Sequence, residues 1–471
     1  LGIRHARKRG TVMIIEKGQK IPFDISNYGL IYYYDSIHEK TKFDKDLSEF
    51  FKRIESKKPE DNPVIGYFEE IEKNEGTTKL SNYIFTPKPF SFVVKDYPRL
   101  IENVLSMDAV LFLICENEFD KQVDLIDYLK GQYDGEKKIV SGFSYWGKEP
   151  THQWGQACNS GYYIMRRSIE NFPKIWNPIY NSFPGGLFHY VSLGVGTGKK
   201  DIFILKELCQ NNKDLIYIPI DMSIDMLRKG VNTVKKDFGM KDIKKYSGTQ
   251  IAPIQADFSG GTKLEEIREV ITDIVNKEPI IFGLLGNTLS NFDDDSTTLK
   301  NISKDFLRSS DLLLLEIART GQITEKIREK AIVEYSHKDF KKFAISALSQ
   351  VTDIDIDIEN VEIQVKEETM KKDGNTITRA LKILTYYTID YEKKTHLPND
   401  EYFKFKKGDK IRIYLSRKYT KEGINSLIKN AGLKIIDEAQ SKPSYKDVDI
   451  GLQLLLLKKE KKEEKKESIR S

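Results

Sequence analysis

The chain has 471 residues, 39% of them hydrophobic and 11% aromatic, which is enough to bury the cores of two or three globular domains. Its 76 basic and 71 acidic side chains leave a formal charge of only +5, so nucleic acid is a disfavoured partner. No apolar run approaches the ~18 residues of a membrane-spanning helix and no signal peptide is recognisable, so we expect no membrane association and a cytoplasmic location. The three cysteines form no CxxC pair and have no histidine at ligand spacing, so neither a disulfide framework nor a metal site is predicted.

The first 92 residues carry part of an α/β pattern. Strands are predicted at 11–15 and 30–34, and a lysine-rich amphipathic helix is predicted within 36–60. The LGIRHA helix end, the PFDI turn and the tyrosine-rich strand resemble the back half of TIR-like or deoxyribosyltransferase-like nucleotide-binding domains. That resemblance places the catalytic glutamate of such domains just before Leu1, so residues 1–92 are predicted to be a partial segment without catalytic activity.

A boundary and a connector follow. Prolines and polar turns between 60 and 95 predict a domain boundary, and a long helical pattern running from 97 to 131 predicts a helical connector at 93–140. The next stretch is rich in aromatic residues that belong either to a packed helical cap or to the wall of a ligand pocket, with core packing favoured; they are Tyr145, Trp146, Trp154, Tyr162 and Tyr163.

The segment from 188 to 318 alternates apolar, strand-like runs with amphipathic helical segments, which predicts an α/β fold with a doubly wound parallel sheet. Further on, β-rich runs flank a helix that ends at Gly432, which predicts a β-rich addition to the sheet. We expect one domain at 141–457. The last residues, 458–471, have balanced charge and no apolar face, which is typical of a solvated, frayed helix or a disordered tail.

Three glycines, Gly194, Gly196 and Gly198, lie between the first predicted strand of this sheet and the helix that follows. A P-loop is excluded because Gly198-Lys199 is followed by Lys200, and a GxGxxG dinucleotide fingerprint is not matched. GxGxG in this position resembles the cofactor loop of S-adenosylmethionine (SAM)-dependent methyltransferases. A purely structural strand-to-helix turn is the alternative.

Acidic residues end the next two predicted strands. Asp221 stands 27 residues after Gly194, where a carboxylate accepts hydrogen bonds from both ribose hydroxyls of a nucleoside. Asp257 and Phe258 end the third strand and offer a carboxylate to an adenine amino group and a ring to its face. An aspartate at a strand end is also a common turn former or N-cap. Together with the glycines, however, the two aspartates predict a cofactor site.

Four segments resemble the histidine Nα-methyltransferase family of ergothioneine biosynthesis. They are VSLGVGTGKKD, YIPIDMSIDML, GNTLSN after the fourth strand, and KGDKIRIYLSRKYTKEGINSLIKNAGLKI. The match spans about 140–457. It implies a Rossmann-like class I methyltransferase sheet with a substrate-binding β-rich insertion, SAM as the cofactor, and the α-amine of an amino acid as the methyl acceptor.

The resemblance also assigns residues by position. It implies a SAM site formed by Gly194, Gly196, Gly198, Lys199, Lys200, Asp221, Asp257, Phe258 and Gly286. It implies that Asn291 holds the amino and carboxylate groups of the substrate, and that Tyr163 and Tyr335 clamp the substrate as catalytic residues. Ser416 matches a serine on the imidazole side of the family's substrate pocket.

Tyr414 stands where the family has a glutamate that pairs with the histidine side chain. A tyrosine cannot supply the charge-assisted hydrogen bond of a carboxylate. The sequence therefore predicts a small amine or amino acid with a changed side chain, aromatic or apolar, rather than histidine.

Two other functions fit the same residues. One is a methyltransferase of the same fold that acts on a protein or RNA amine. The other, from a different class, is a non-catalytic or defence-associated sensor that binds SAM or a nucleotide. The sequence leaves the oligomeric state open.

Overall fold

The computed structural model describes residues 13–16, 30–33, 83–85, 112–115, 118–160, 163–183, 186–212, 214–245, 250–259, 264–397 and 402–460. The predicted helix within 36–60 lies outside these ranges, as do residues 461–471 of the predicted tail. Residues 458 and 459 continue the last strand of the protein and do not belong to a frayed tail. Within the described ranges, no helix is both long and apolar enough to cross a membrane.

The centre of the fold is a parallel sheet whose strands are buried on both faces, as expected for apolar runs that alternate with helices. Five of its parallel strands are, in chain order, β5 (His189–Leu193), β6 (Ile216–Asp221), β8 (Ile254–Gln255), β9 (Ile280–Leu284) and β10 (Leu312–Thr320), and the short β7 (Gln250–Ile251) pairs with β6. In spatial order these five are β8, β6, β5, β9 and β10.

An antiparallel strand extends the sheet beyond β10. β17 (Ile450–Lys459) pairs with β10 in antiparallel register, and β16 (Leu433–Gln440) pairs in turn with β17. β17 therefore runs against the direction of the five parallel strands named above. β16, on the far side of β17, runs in the same direction as those five.

Helices cover both faces of this sheet. Tyr190 and Val191, adjacent on β5, belong to cores on opposite faces. The helices that follow the parallel strands are α4 (Lys199–Asn211), α5 (Ile224–Lys245), α6 (Leu264–Ile274) and α7 (Asp295–Asn301). This is the doubly wound arrangement that the sequence predicts.

At the edge of the sheet beyond β8, the structure differs from the predicted long helix. Residues 112–114, inside the predicted helix at 97–131, form strand β4 (Phe112–Ile114), which pairs with β8 and with β3 (Tyr83–Phe85). A short apolar run is compatible with either element by periodicity alone, and here burial at the sheet edge decides for a strand. Among the described residues of this stretch, Glu118–Lys130 forms helix α1. The N-terminal strands are confirmed as a parallel pair, β1 (Met13–Glu16) and β2 (Leu30–Tyr33).

A β-rich insertion leaves the sheet after β10. Helices α8 (Glu325–Tyr335) and α9 (Lys338–Val351) lead into a long antiparallel hairpin, and β15 (Lys410–Tyr419) pairs with its second strand. The hairpin strands are β11 (Val361–Lys372) and β12 (Asn375–Thr388), and a smaller hairpin joins β13 (Lys393–His396) to β14 (Tyr402–Phe405). Helix α10 (Lys421–Asn430) follows β15, and Gly432 just beyond it has φ +65°.

A second core packs the insertion against the segment before the sheet, which contains a 3₁₀ turn (Ser141–Tyr145), α2 (Lys148–Asn159) and α3 (Tyr163–Asn181). Phe143 and Ala157 from this segment share that core with Phe343 of α9 and Ile413 of β15. The insertion and the early helices thus stand over the carboxyl ends of the parallel strands. Ligands of doubly wound sheets bind at that edge.

Candidate active site

The glycine loop between β5 and α4 has a backbone that other residues adopt only with strain. Gly194, Gly196 and Gly198 have φ values of +71°, +53° and +70°. A Cβ at Gly198 would lie 2.7 Å from the carbonyl oxygen of Gly230, and one at Gly194 would touch Phe258 at 3.5 Å. The loop therefore needs glycine for its conformation, and at position 198 also for its close approach to Gly230.

This loop borders an open cleft at the carboxyl ends of the parallel strands. Every residue predicted to bind a cofactor lines it: Gly194, Gly196, Gly198, Lys199, Lys200, Asp221, Asp257, Phe258 and Gly286. Three consecutive strand ends thus face one cavity, as their positions in the sequence indicate.

Asp221, at the end of β6, is a buried acceptor in this cleft. Its Oδ1 accepts a hydrogen bond from the backbone N–H of Ser223 at 3.0 Å. Burial raises the pKa of the Asp221 carboxyl to about 7, although backbone N–H groups of Ser223 and Gly196 act in the opposite direction. A carboxylate with this environment is stabilised by any further hydrogen-bond donor.

Asp257, at the end of β8, has a different environment. Lys121 of α1 approaches it at 2.7 Å, and the backbone N–H of Ser259 donates at 2.9 Å. Burial raises the pKa of Asp257, but Lys121 and Ser259 outweigh that effect and hold the pKa below its usual value. Asp257 is therefore a carboxylate at neutral pH. The contribution of α1 to this corner of the cleft has no local signal in the sequence.

The two lysines of the loop have separate partners. Lys200 is buried, and its Nζ lies 2.8 and 2.5 Å from the two carboxylate oxygens of Glu316 on β10. The same carboxylate accepts a hydrogen bond from the backbone N–H of Gly286 at 2.6 Å. Lys199 is half-buried and donates to Asn159 Oδ1 at 2.6 Å. Lys200 thus links the glycine loop to the loop after β9.

A second pocket, which we call the acceptor pocket, adjoins the cleft. The two cavities share Trp154, Met165 and Gly286 as lining residues. Four residues predicted to contact a substrate line the acceptor pocket: Asn291, Tyr335, Tyr414 and Ser416. The structure therefore brings these four together next to the predicted cofactor cleft.

Asn291 begins a chain of polar contacts along the acceptor pocket. Its Nδ2 donates to the hydroxyl of Tyr145 at 3.3 Å, and its Oδ1 accepts from Ser290 at 3.3 Å. Ser290 Oγ lies 3.3 Å from Ser416 Oγ, which also accepts from the hydroxyl of Tyr335 at 3.1 Å. This chain joins the loop after β9 to β15 and α8.

Tyr414 forms part of an aromatic wall in place of a carboxylate. Its hydroxyl lies 3.0 Å from that of Tyr145, and its ring packs edge-on against Phe340 at 5.2 Å. Burial, together with Tyr145, raises the pKa of Tyr414 well above its usual value, so the group remains a phenol at neutral pH. The position offers hydrogen bonds but no negative charge.

Some aromatic residues of the stretch before the sheet lie in a core, and others line the cleft. Trp146 is buried in the second core, as expected of a core residue. Tyr145 and Trp154 are half-buried and line the cleft, and their rings meet edge-on at 5.1 Å. Both residues also pack against the second core, so they contribute to the core and to the wall of the cleft. Tyr163 is the first residue of α3, and its side chain is outside the described part of the structure.

The strand order, the glycine loop and the acidic strand ends define a SAM-dependent methyltransferase. A model of the histidine-specific, SAM-dependent methyltransferase family matches residues 130–448, and the chain belongs to that family. Its cofactor is accordingly SAM. The glycine cradle, which a Cβ would fill, and the buried Asp221 carboxylate fit that cofactor.

The chain is similar to N-methyltransferase imqF of Aspergillus flavus, with 22% identity over 351 residues that cover 73% of this chain and 89% of imqF. A SAM-dependent methyltransferase from Clostridium acetobutylicum is 15% identical and matches 73% of this chain and 100% of its own, with a TM-score of 0.28. Magnesium protoporphyrin IX methyltransferase from Synechocystis PCC 6803 with bound SAH is 10% identical and matches 67% and 96%, with a TM-score of 0.31. Scores this low carry no weight, and the class follows from the family match and the strand order.

Proposed function

We propose that the protein methylates the α-amine of a free amino acid or a similar small amine. The observation that carries the proposal is the acceptor pocket, which adjoins the cofactor cleft and has the Asn291 amide in its polar wall. An amide offers both a donor and an acceptor to the amino and carboxylate groups of an amino acid.

In this proposal, different residues of the cleft bind different parts of the cofactor. The backbone of the glycine loop lies against the methionine and ribose portions, and Asp221 accepts from the ribose hydroxyls. Asp257 and Phe258 hold the adenine, and Lys199 and Gly286 border the methionine end. Lys200 holds the glycine loop in place through its ion pair with Glu316. When bound, the cofactor supplies an activated methyl group on a sulfonium centre.

The residues of the acceptor pocket orient the amine for in-line attack. The Oδ1 of Asn291 accepts from an N–H of the substrate, and the hydroxyls of Tyr145 and Tyr335 fix its carboxylate and its approach. Tyr163 is proposed as a further clamp at the start of α3. Alignment of this kind lowers the activation barrier, because the entropy of bringing the two reactants together is lost on binding and not in the chemical step. Trp154, which lines both cavities, excludes water.

Tyr414 is not the general base, because its raised pKa keeps it a phenol. The proton that leaves the amine is finally accepted by water. A hydroxyl of the pocket can only relay this proton. We therefore expect the neutral amine to be the reactive form. Because Tyr414 provides no charge for an imidazole, we propose an aromatic or apolar side chain on the substrate.

The test is turnover of free amino acids by the purified protein with SAM, followed by mass spectrometry, for the wild type and Asn291→Ala. The proposal predicts N-methylated product from the wild type, a loss of at least about 100-fold in kcat/KM for Asn291→Ala, and nearly unchanged SAM affinity. Asn430→Ala on the exposed face of α10 is the matched control and should behave as wild type. Equal activity of Asn291→Ala and the wild type would contradict the proposal.

A further inference from the structure

A buried ion pair lies in the wall of the acceptor pocket. Glu334 in the last turn of α8 and Lys418 on β15 both line the pocket, and Lys418 Nζ lies 2.9 Å from Glu334 Oε2. Their side chains are only 1% and 4% exposed. Neither residue lines the cofactor cleft. The pair therefore belongs to the acceptor pocket and not to the cofactor cleft.

This pair has hydrogen-bonding capacity left over. The Lys418 ammonium engages Glu334 Oε2, whereas among the described residues no donor reaches Glu334 Oε1. Lys418 carries three N–H donors, and its Nζ also lies 5.5 Å over the ring of Tyr335. Burial alone would lower the pKa of Lys418, but Glu334 holds it above its usual value, so the ammonium stays charged. The pair thus presents an unused acceptor beside an unused donor.

A group that donates one hydrogen bond and accepts another is complementary to such a pair. A hydroxyl does both, an indole N–H only donates, and a methyl ether only accepts. The pair carries no net charge, so it gives no general preference to a cationic side chain. Aromatic rings of Tyr335, Phe340 and Tyr414 line the same pocket and suit a flat ring.

Strand β15 connects the ion pair to the residues near Asn291. Tyr414, Ser416 and Lys418 alternate onto one face of the strand, so Ser416 and Lys418 are separated by about 6.6 Å. Ser416 is linked to Asn291 through Ser290 by two contacts of 3.3 Å. Ser416, which is linked to Asn291, and Lys418 of the ion pair are therefore neighbours on the face of β15 that lines the acceptor pocket.

We propose that Glu334 and Lys418 recognise the hydroxyl of a phenolic side chain, so that the methyl acceptor is tyrosine or a related phenolic amine. This inference rests on the proposed N-methyltransferase function. Glu334 accepts the phenol O–H, and Lys418 donates to the phenol oxygen. The two residues set specificity and take no part in methyl transfer itself.

The experiment compares tyrosine with phenylalanine, which differ by this hydroxyl alone, as substrates of the wild-type protein. We expect kcat/KM for tyrosine to exceed that for phenylalanine by at least about 30-fold, because a buried pair built for a hydroxyl is left unpaired by phenylalanine. Tryptophan and 4-methoxyphenylalanine, which only donate or only accept, should both fall below tyrosine.

The double variant Glu334→Met/Lys418→Met removes both charges together and leaves neither one buried alone. It should bring the ratio of tyrosine to phenylalanine to within about 3-fold of unity. Glu329→Gln, an exposed carboxylate on the same helix, should retain the wild-type ratio. SAM titration confirms that each variant is folded, and the wild-type comparison needs no variant.

A ratio near unity in the wild type, or an unchanged ratio in the double variant, would overturn the inference while leaving amino acid methylation intact. Binding of tyrosine and phenylalanine to the SAH complex separates the two proposals. Preferential binding of tyrosine without turnover would support the recognition of phenol and contradict the proposed reaction. Absence of both binding and turnover would contradict both.

Discussion

The hydroxyl oxygens of Tyr145 and Tyr414 lie 3.0 Å apart and join two segments separated by 269 residues in the chain. Tyr145 also receives a hydrogen bond from Asn291, so one phenol connects the loop after β9, the early 3₁₀ turn and the insertion. These three parts of the protein meet at a hydroxyl on the wall of the cofactor cleft, next to the acceptor pocket.

Replacing Tyr145 by phenylalanine should impair catalysis more than binding of the cofactor. The change removes both polar contacts but keeps the ring packed against Trp154. We expect kcat to fall by about 10- to 100-fold with little change in the Kd for SAM, measured by steady-state kinetics and calorimetry. Tyr133→Phe, at an exposed ring, is the control. A variant with wild-type kcat would show that this hydroxyl has no role in orienting the substrate.

The glycine loop should tolerate no side chain at position 198. Gly198→Ala combines a positive φ with a Cβ contact of 2.7 Å to a backbone oxygen. Gly374→Ala on an exposed hairpin has φ +81° but no atom within 4 Å of the new Cβ. The hairpin variant should lose about 1 kcal/mol of unfolding free energy, and the loop variant about 1–3 kcal/mol more, with weakened SAM binding. Chemical denaturation measures both, and equal losses would show that the close approach to Gly230 is unimportant.

Binding of SAM should depend on pH through Asp221. The free carboxyl has a pKa raised to about 7 by burial, whereas the ribose hydroxyls donate to the ionised form. Binding therefore lowers this pKa, and affinity should fall as pH decreases below 7, by up to about 10-fold per unit, and level off above it. Calorimetry between pH 6 and 8 gives the profile and the protons released. Asp221→Asn should bind weakly with no such step, and an identical profile in that variant would assign the effect to another group.

The buried pair of Lys200 and Glu316 should be important for folding. Lys200→Ala leaves Glu316 buried and uncompensated, which costs about 3–5 kcal/mol. The same change at Lys206, which pairs with Asp237 on the exposed surface, should cost at most about 1 kcal/mol. Thermal unfolding distinguishes the two. A similar Tm for both variants would mean that the buried pair adds nothing specific to stability.

The central sheet and the cofactor cleft were predictable from the sequence because their signals are local. Apolar runs buried on both faces mark the strands, and Gly194, Asp221 and Asp257 directly follow or end them. Strand β4 was missed because three apolar residues fit a helix equally well.

The wall of the acceptor pocket was less predictable, because its contacts join distant parts of the chain. Tyr145 and Trp154 carry no local mark that separates a pocket residue from a core residue. The pairing of Glu334 with Lys418 spans 84 residues and a change from helix to strand. Such pairs become visible only when the insertion is placed over the sheet.

The most direct test is a calorimetric titration of SAM into the purified protein, followed by free amino acids added to the SAH complex, with mass spectrometry of reactions that contain SAM. We expect that the cofactor binds, that an aromatic amino acid binds its complex, and that this amino acid gains a methyl group on its α-nitrogen. Cofactor binding without binding or methylation of any small amine would contradict the assignment of the acceptor pocket.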